Sequence, residues 1–370
     1  MSLNSTPVAS TENPRSLRAI WRRLPVIHHL RQSVGLQRGM LVAGLIITGL
    51  FVLVAIFAPL LAPYGYGQLR DDSGRFAPQQ PPGPAHLLGT TVGGYDVLSR
   101  VIWGSQTALL VIVFAVLLSI FAGILLGLVS GYLGGWVDRV LVVIADAVYA
   151  FPTLLLAIVT AIVITGGESD LLGGILAAAI SITVVFIPQY FRVIRAEAVR
   201  VKSEAFVESA KVIGAKAPRV MFRHVLRNST RTLPLIFTLN SSEAILTLAG
   251  LGFLGFGIEP TKAAEWGYDL NKSLSDVTAG IWWTSVFPGL AIVLVVLGIT
   301  LIGESLNDLA DPRLRARRRR RGATAADAAA SAPLGSPASA TDVVGVTSAS
   351  EAAAASSTAT TGIDDQEAGR

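Results

Sequence analysis

The sequence predicts an all-α integral membrane protein with six transmembrane helices, and three observations predict it. Of 370 residues, 52% are hydrophobic and only 15% charged, whereas soluble domains run nearer a quarter charged to keep a polar shell against water. Six apolar runs each supply the roughly 20 helical residues that a bilayer core about 30 Å thick requires. Lys and Arg collect in every second segment between those runs, as the sidedness of a membrane bundle demands. The same arithmetic excludes an ordinary cytosolic enzyme, a disordered chain and a collagen-like repeat. With Cys at 0, disulfide frameworks, thiolate zinc sites, iron–sulfur clusters and cysteine nucleophiles are excluded too.

The first span, Gly39–Leu61, lies in an uncharged stretch between Arg38 and Arg70. It is no signal peptide, because it begins late and lacks a cleavage context. The second lies within Gln106–Ser130 and carries no charge; the third, Val140–Thr165, carries Asp146. The fourth, Leu171–Phe191, has none, the fifth, Thr232–Ile258, carries Glu243, and the sixth, Val277–Gly303, is clean. Each is too long for a buried soluble helix and too free of charge for an amphipathic surface helix. Pro152, Pro188 and Pro288 remove ladder bonds inside spans and predict kinks. The spans and their loops make a membrane domain over residues 39–315, preceded by an N-terminal segment, 1–38. Residues 316–370 open with the basic run Arg317–Arg321, which suits anionic headgroups. They continue as an Ala-, Ser- and Thr-rich stretch expected to be disordered.

Orientation follows from the basic residues. Arg15, Arg18, Arg22, Arg23, Arg31 and Arg38 precede the first span, and the loop 192–231 holds ten Lys or Arg between Arg192 and Arg231. Arg313, Arg315 and Arg317–Arg321 follow the sixth span. These three regions fall on one side of an even-numbered bundle, so both termini are expected in the cytoplasm. The net charge of +5 is therefore a topology signal, and nucleic acid is not an expected partner.

The loop 192–231 is helical in composition. Phe206, Val207, Ala210, Ile213 and Ala217 recur at spacings of one, three and four and predict one apolar helical face. Gly214 interrupts the pattern, and Pro218 can open a further helix from its first turn. A helix pair on the cytoplasmic side of a membrane protein is a docking device or a lipid-surface element.

Glu208-Ser209-Ala210, three residues, then Gly214 resembles the E-A-A-x-x-x-G loop of permease subunits of ATP-binding-cassette importers. His86-Leu87-Leu88-Gly89-Thr90, Gly94 and Asp96-Val97-Leu98-Ser99-Arg100 resemble the segment before the second span in the dipeptide, oligopeptide and nickel subgroup. Gly131–Asp138, Asp146 with Ala150-Phe151-Pro152, Glu243 followed by Phe253-Leu254-Gly255, and Gly303–Leu314 continue the match in order over about residues 35–315. The pattern is similar to the C-type permease of a bacterial dipeptide or oligopeptide importer. Ser209 replaces the usual second Ala, Arg227 stands where a Pro commonly follows, and Thr91, Tyr95 and Gln106 stand where the subgroup usually has Asp, Arg and Arg.

The resemblance implies a type I importer permease fold in the bacterial inner membrane, with the loop around Glu208, Ser209, Ala210 and Gly214 as the coupling helix. It implies a homologous permease, two cytoplasmic ATPase subunits or domains, an extracytoplasmic binding protein and a peptide substrate as partners. ATP and magnesium would belong to the ATPases; this chain has no Walker A sequence and needs no cofactor. Glu208 is expected to hold the two short helices together through the turn's amides, with contact to the ATPase as the alternative. Asp146 and Glu243, ionisable inside spans, are candidates for the translocation path or for structural hydrogen bonds between helices. Gly250-Leu251-Gly252-Phe253-Leu254-Gly255 fits G-x-G-x-x-G, but it ends a membrane span rather than following a strand, so a turn or close packing is expected there. His28, His29, His86 and His224 are too scattered to predict a metal site. A proton-driven carrier and a six-span scaffold are the competing classes.

Overall fold

The computed structural model describes residues 36–166, 171–230 and 232–310. The chain divides into two units, Met1–Arg315 and Ala316–Arg370, and all described residues belong to the first. The expectations for the N-terminal arginines up to Arg31, for Arg317–Arg321 and for the tail lie outside the described residues.

The architecture is all-α. Helix α1 spans Leu36–Ile56, and a short turn of helix, Ala58–Leu61, follows it. A small hairpin pairs β1, Arg70–Asp71, with β2, Gly74–Arg75. Then come α2, Val97–Leu133, α3, Gly135–Tyr149, α4, Thr153–Thr165, and α5, Leu171–Lys202. Helix α6 is Ala205–Val212, α7 Leu233–Phe253, α8 Trp266–Lys272 and α9 Trp283–Ala310. Helices α1, α2, α5, α7 and α9 are each long and apolar enough to cross a membrane alone. The third expected span is instead a broken pair: α3 and α4 are bent by 97° at Ala150–Pro152 and make a sixth crossing only if counted as one. Pro188 and Pro288, by contrast, lie inside helices that run on through them.

Span limits read from hydropathy differ from the helices because local chemistry, not apolarity, sets helix ends. Helix α2 starts at Val97 because Asp96 caps it, its Oδ2 accepting from the Ser99 amide at 2.7 Å. Helix α7 stops at Phe253 rather than Ile258. Gly255 adopts φ +86°, and the amides of Gly255 and Phe256 return to the carbonyls of Gly252 and Leu251, a Schellman ending that realises the expected turn. Helix α9 starts at Trp283 rather than Val277, since Leu274–Thr278 is a separate short helix closed by Gly280 at φ +79°.

The main contact of the bundle is α2 against α5. Gly123, Gly127 and Gly131 recur every four residues along α2, and a side chain on any of them would strike α5. A Cβ on Gly127 would sit 2.7 Å from the Phe191 carbonyl and one on Gly131 2.8 Å from the Ala198 methyl, while one on Gly123 would overlap Tyr190. Such small-residue stripes let helix backbones approach closely in a membrane. The Thr183 hydroxyl of α5 reaches the Ala115 carbonyl of α2 at 3.2 Å, a polar tie between the two helices. Around this seam lies the core: Val111, Ala115 and Val116 of α2, Ile182, Phe186 and Tyr190 of α5, Ala244, Ile245 and Leu251 of α7, and Val295 of α9.

The face opposite the loop 203–232 is fastened by polar bonds. Arg100, buried at the start of α2, donates from Nε to both carboxylate oxygens of Asp269 at 2.6 and 2.8 Å. Trp266 packs on Gly104 and donates to the Val101 carbonyl. Glu265 caps α8, accepting from the amides of Gly267 and Tyr268 at 2.8 Å each, and its carboxylate fills the space a Cβ on Gly252 would need.

Two outcomes follow from these contacts. Gly123→Val should overpack the α2–α5 seam and cost on the order of 1–3 kcal/mol, read as a lowered thermal midpoint of the detergent-solubilised chain; an unchanged midpoint would refute the seam. Burial pushes the Glu265 carboxyl up to about 8 from an ordinary 4.5, against the two amide hydrogen bonds that favour its anion. The folded chain therefore keeps that proton where the unfolded chain has lost it, and stability should fall as pH rises from about 4.5 to about 8. Glu265→Gln should flatten that part of the pH–stability curve.

Candidate functional site

The loop 203–232 folds into a tip standing on α2 and α5. Val207 and Ala210 of α6 are buried against Leu128 and Tyr132 of α2, Ile194, Ala198 and Val201 of α5, and Val220 and Val225 of the returning chain. Helix α6 ends in a Schellman motif: Gly214 takes φ +82°, its amide bonds the Lys211 carbonyl at 3.0 Å, and the Ala215 amide bonds the Ala210 carbonyl at 3.1 Å. Nothing lies within 4 Å of where a Gly214 side chain would begin. The chain resumes at Ala217–Arg219 with Pro218 in its first turn. It continues through a π-helical turn, Val220–Val225, into Leu226–Ser229. This is the helix–turn–helix that the sequence pattern predicts.

The apolar face differs from the one expected. Of Phe206, Val207, Ala210, Ile213 and Ala217, only Val207 and Ala210 are buried. Phe206 and Ile213, seven residues apart, lie on one side of α6 and stay exposed, while Val207 and Ala210 meet the bundle. Ala217 follows the left-handed turn at Gly214, which breaks the helical register. Ile213 is 85% exposed, its neighbour Val212 86% and Phe206 44%. Glu208 is exposed, and among the described residues its carboxylate has no hydrogen-bond or ion-pair partner. It does not hold the helix pair together: the Schellman bonds and the buried Val207 and Ala210 do. Ser209 is also exposed and returns its hydroxyl to the Ala205 carbonyl at 2.9 Å. Lys211, Lys216 and Arg219 are exposed.

Below the tip, two ion pairs tie α3 to α5. Arg195 grips Asp138 with Nε at 2.5 Å and Nη2 at 2.7 Å, and the Ser130 hydroxyl donates to the same carboxylate. Arg192 donates to Asp146 at 2.8 Å, with its guanidinium 4.1 Å from the Tyr149 ring centre. Asp146 thus has a partner on a neighbouring helix. Reading Arg192 and Arg195 as loop charges missed their role; their spacing of three puts both on one face of α5, which was the available signal. Glu243 is half-buried on α7, and among the described residues its carboxylate has no hydrogen bond or ion pair. No bond joins Asp146 and Glu243 to each other or to the residues 208–214.

Of the three positions that depart from the resemblance, Gln106 bonds the Ala55 carbonyl, and Thr91 and Tyr95 line a cavity on the face opposite the tip. Among the described residues no group of three or more His, Cys, Asp or Glu side chains could hold a metal ion.

Comparison with known proteins places this arrangement among transporters. Residues 123–316 match the family described as binding-protein-dependent transport system inner membrane component. Residues 36–82 match the N-terminal transmembrane domain of oligopeptide transport permease C. The chain is 38% identical over 275 residues to the dipeptide transport system permease protein DppC of Alkalihalophilus pseudofirmus, covering 74% of this chain and 86% of that one. It is 33% identical over 321 residues to the glutathione transport system permease protein GsiD of Pectobacterium atrosepticum, covering 85% and 97%. The same-named protein of an Escherichia coli strain is 34% identical over 315 residues, covering 85% and 96%.

Proposed function

The chain belongs to the family of binding-protein-dependent transport system inner membrane components, and from that premise we propose how this permease works. It forms half of the pathway of an ATP-driven peptide importer, beside a homologous permease. Two cytoplasmic ATPase subunits or domains, which hold the ATP and magnesium, drive it, and an extracytoplasmic binding protein delivers the cargo. The names of its relatives, a dipeptide and a glutathione permease, support a small peptide as cargo.

The observation that carries this reading is the surface of the tip. Phe206, Val212 and Ile213 are exposed next to Glu208, an anion without a partner among the described residues. Contiguous exposed apolar groups rimmed by charge mark a protein contact. The loop carries a basic surplus, so the positive-inside rule puts it, and both termini, in the cytoplasm, where the ATPases are. Glu208, Ser209, Ala210 and Gly214 form the coupling element: Ala210 roots it in the bundle, and Gly214 ends its helix beside the exposed Ile213. Glu208 and Ser209 face the ATPase. Closure of the ATPase pair on ATP would press on this tip, and the packing of Val207 and Ala210 would pass the motion to α2 and α5.

Inside the membrane, Asp146 serves chiefly to hold α3 on α5 through Arg192, whereas Glu243, half-buried and without a partner among the described residues, is the candidate to face the translocation path.

Ile213→Asp and Gly214→Arg test the coupling. Both positions are open to solvent, so membrane insertion should persist, while ATP-driven dipeptide uptake by the assembled complex should fall about tenfold or more, the loss expected for a buried interface anchor. Normal uptake and normal substrate-stimulated ATPase activity in Ile213→Asp would overturn the assignment.

A further inference from the structure

After the turn at Gly214 the chain returns towards α7 as a helix that runs without a break from Ala217 to Ser229, with the π-helical turn in its middle. There the Leu226 amide reaches back five residues to the Met221 carbonyl, the wider bonding of a π turn. The turn serves burial. Val220 and Val225, five residues apart, are both fully buried, where α geometry would set them about 140° apart around the axis. Ser229, four residues further on, is fully buried as well.

The same turn lines up three arginines. Arg219, Arg223 and Arg227 recur every four residues, a spacing that drifts around an α-helix by about 40° at each step. The wider π turn takes part of that drift back, so the three share one side of the helix, away from Val220 and Val225. All three are exposed, and none forms an ion pair with a described residue. Like charges four residues apart oppose each other on a helix, so the line weakens the helix unless an anionic surface meets it. Phe222, 47% exposed, stands between Arg219 and Arg223 in sequence and flanks the line. The line ends at Arg227, six residues before Leu233 opens α7, one of the helices able to cross the membrane.

We propose that Arg219, Arg223 and Arg227 dock this returning helix on the phosphates of anionic phospholipids in the inner leaflet. The basic surplus of the loop fixes sidedness only. Three unpaired cations held in one line just before a span make a surface that anionic headgroups complement, and Phe222 adds an aromatic ring suited to the membrane interface. The occupant is lipid rather than the ATPase, because the line leads away from the tip and ends beside the start of α7. The proposal takes from the importer reading only the cytoplasmic side of the loop. Its consequence is a brace: the returning helix is held by the bundle through Val220 and Val225 and by the leaflet through the arginines, so a push on the tip is passed on rather than lost.

The chain contains no Cys, so Phe222→Cys gives a single site for a nitroxide spin label. The full-length chain is placed in nanodiscs of phosphatidylcholine with and without phosphatidylglycerol, and the label's collisions with oxygen and with a water-soluble nickel chelate are compared. Phosphatidylglycerol should move the label from nickel-accessible to oxygen-accessible, and added salt should reverse the move. Arg223→Gln and Arg227→Gln should each lower the docked-to-free ratio about fivefold, the worth of one arginine at an anionic surface. Both side chains are exposed, so neither variant disturbs the core. Lys211→Gln removes the same charge from α6 and should leave the ratio unchanged. A label equally nickel-accessible in both lipids, or an equal loss from Lys211→Gln, would overturn the proposal. Protection that appears only when the ATPase subunits are added, whatever the lipid, would also overturn it and make the line an ATPase contact. No transport is measured here, so a negative result leaves the importer reading standing, and failure of that reading in the Ile213→Asp test leaves the lipid contact untouched.

Discussion

The close approach of α2 to α5 is the constraint on which the rest of the structure depends. Without side chains at Gly123, Gly127 and Gly131, the two backbones meet along a seam that a single methyl would separate. At 37 and 32 residues, these helices run about 55 Å and about 48 Å, well beyond a bilayer core of about 30 Å. The seam thus continues out of the membrane, where the same pair presents Leu128, Tyr132, Ile194, Ala198 and Val201 to the tip. What rests on the tip is mechanically joined to the middle of the bundle. In lipid, where apolar surface gains nothing by leaving one hydrocarbon for another, this joining must come from packing and interhelical hydrogen bonds. The glycine stripe and the Thr183 bond supply both.

Charge is handled differently at the two ends. On the face away from the tip, Arg100 and Asp269 are buried together, and Tyr66 adds a carbonyl to the guanidinium at 3.1 Å. Such a pair contributes little net stability but is costly to break, so it fixes α8 on the start of α2. Toward the tip, Arg192–Asp146 and Arg195–Asp138 are partly exposed, and they hold α3 on α5. Gly134 and Gly135, both at positive φ, lie at one end of α3 and the 97° break at the other. One end of the bundle is locked; the other is latched.

Much of this was legible in the sequence, in proportion to how local the causes are. The long apolar helices follow from bilayer thickness and composition. The helix, the turn at Gly214 and the second helix opened by Pro218 follow from residues that determine their own backbone. The residues proposed as the coupling element stand out through motif and spacing. What could not be read was decided by partners distant in sequence. Which of Phe206, Val207 and Ile213 is buried depends on α2 and α5, and periodicity alone put all three on one face. That Arg192 and Arg195 are paired rather than left to solvent depends on acids in α3. The cavity that Thr91 and Tyr95 line joins segments nearly 200 residues apart, through contacts such as Gln79 to Asp276, and no spacing rule reaches across that distance.

If the tip is the proposed coupling element, these features separate a part that transmits force from a part that yields to it. On the proposed reading, a push on the tip reaches Val207 and Ala210, which are packed too tightly to move alone, so α2 and α5 would shift as one body. Helix α3 is held to that body by ion pairs that water can replace at modest cost, because they are partly exposed. It also has a joint at each end. An importer that alternates its access needs such a difference in stiffness, since a uniformly rigid bundle would resist the motion and a uniformly soft one would absorb it. The exposed apolar residues of the tip fit the same logic. A surface that must be gripped and released by a partner cannot be buried in its own fold, and Phe206, Val212 and Ile213 all stay outside.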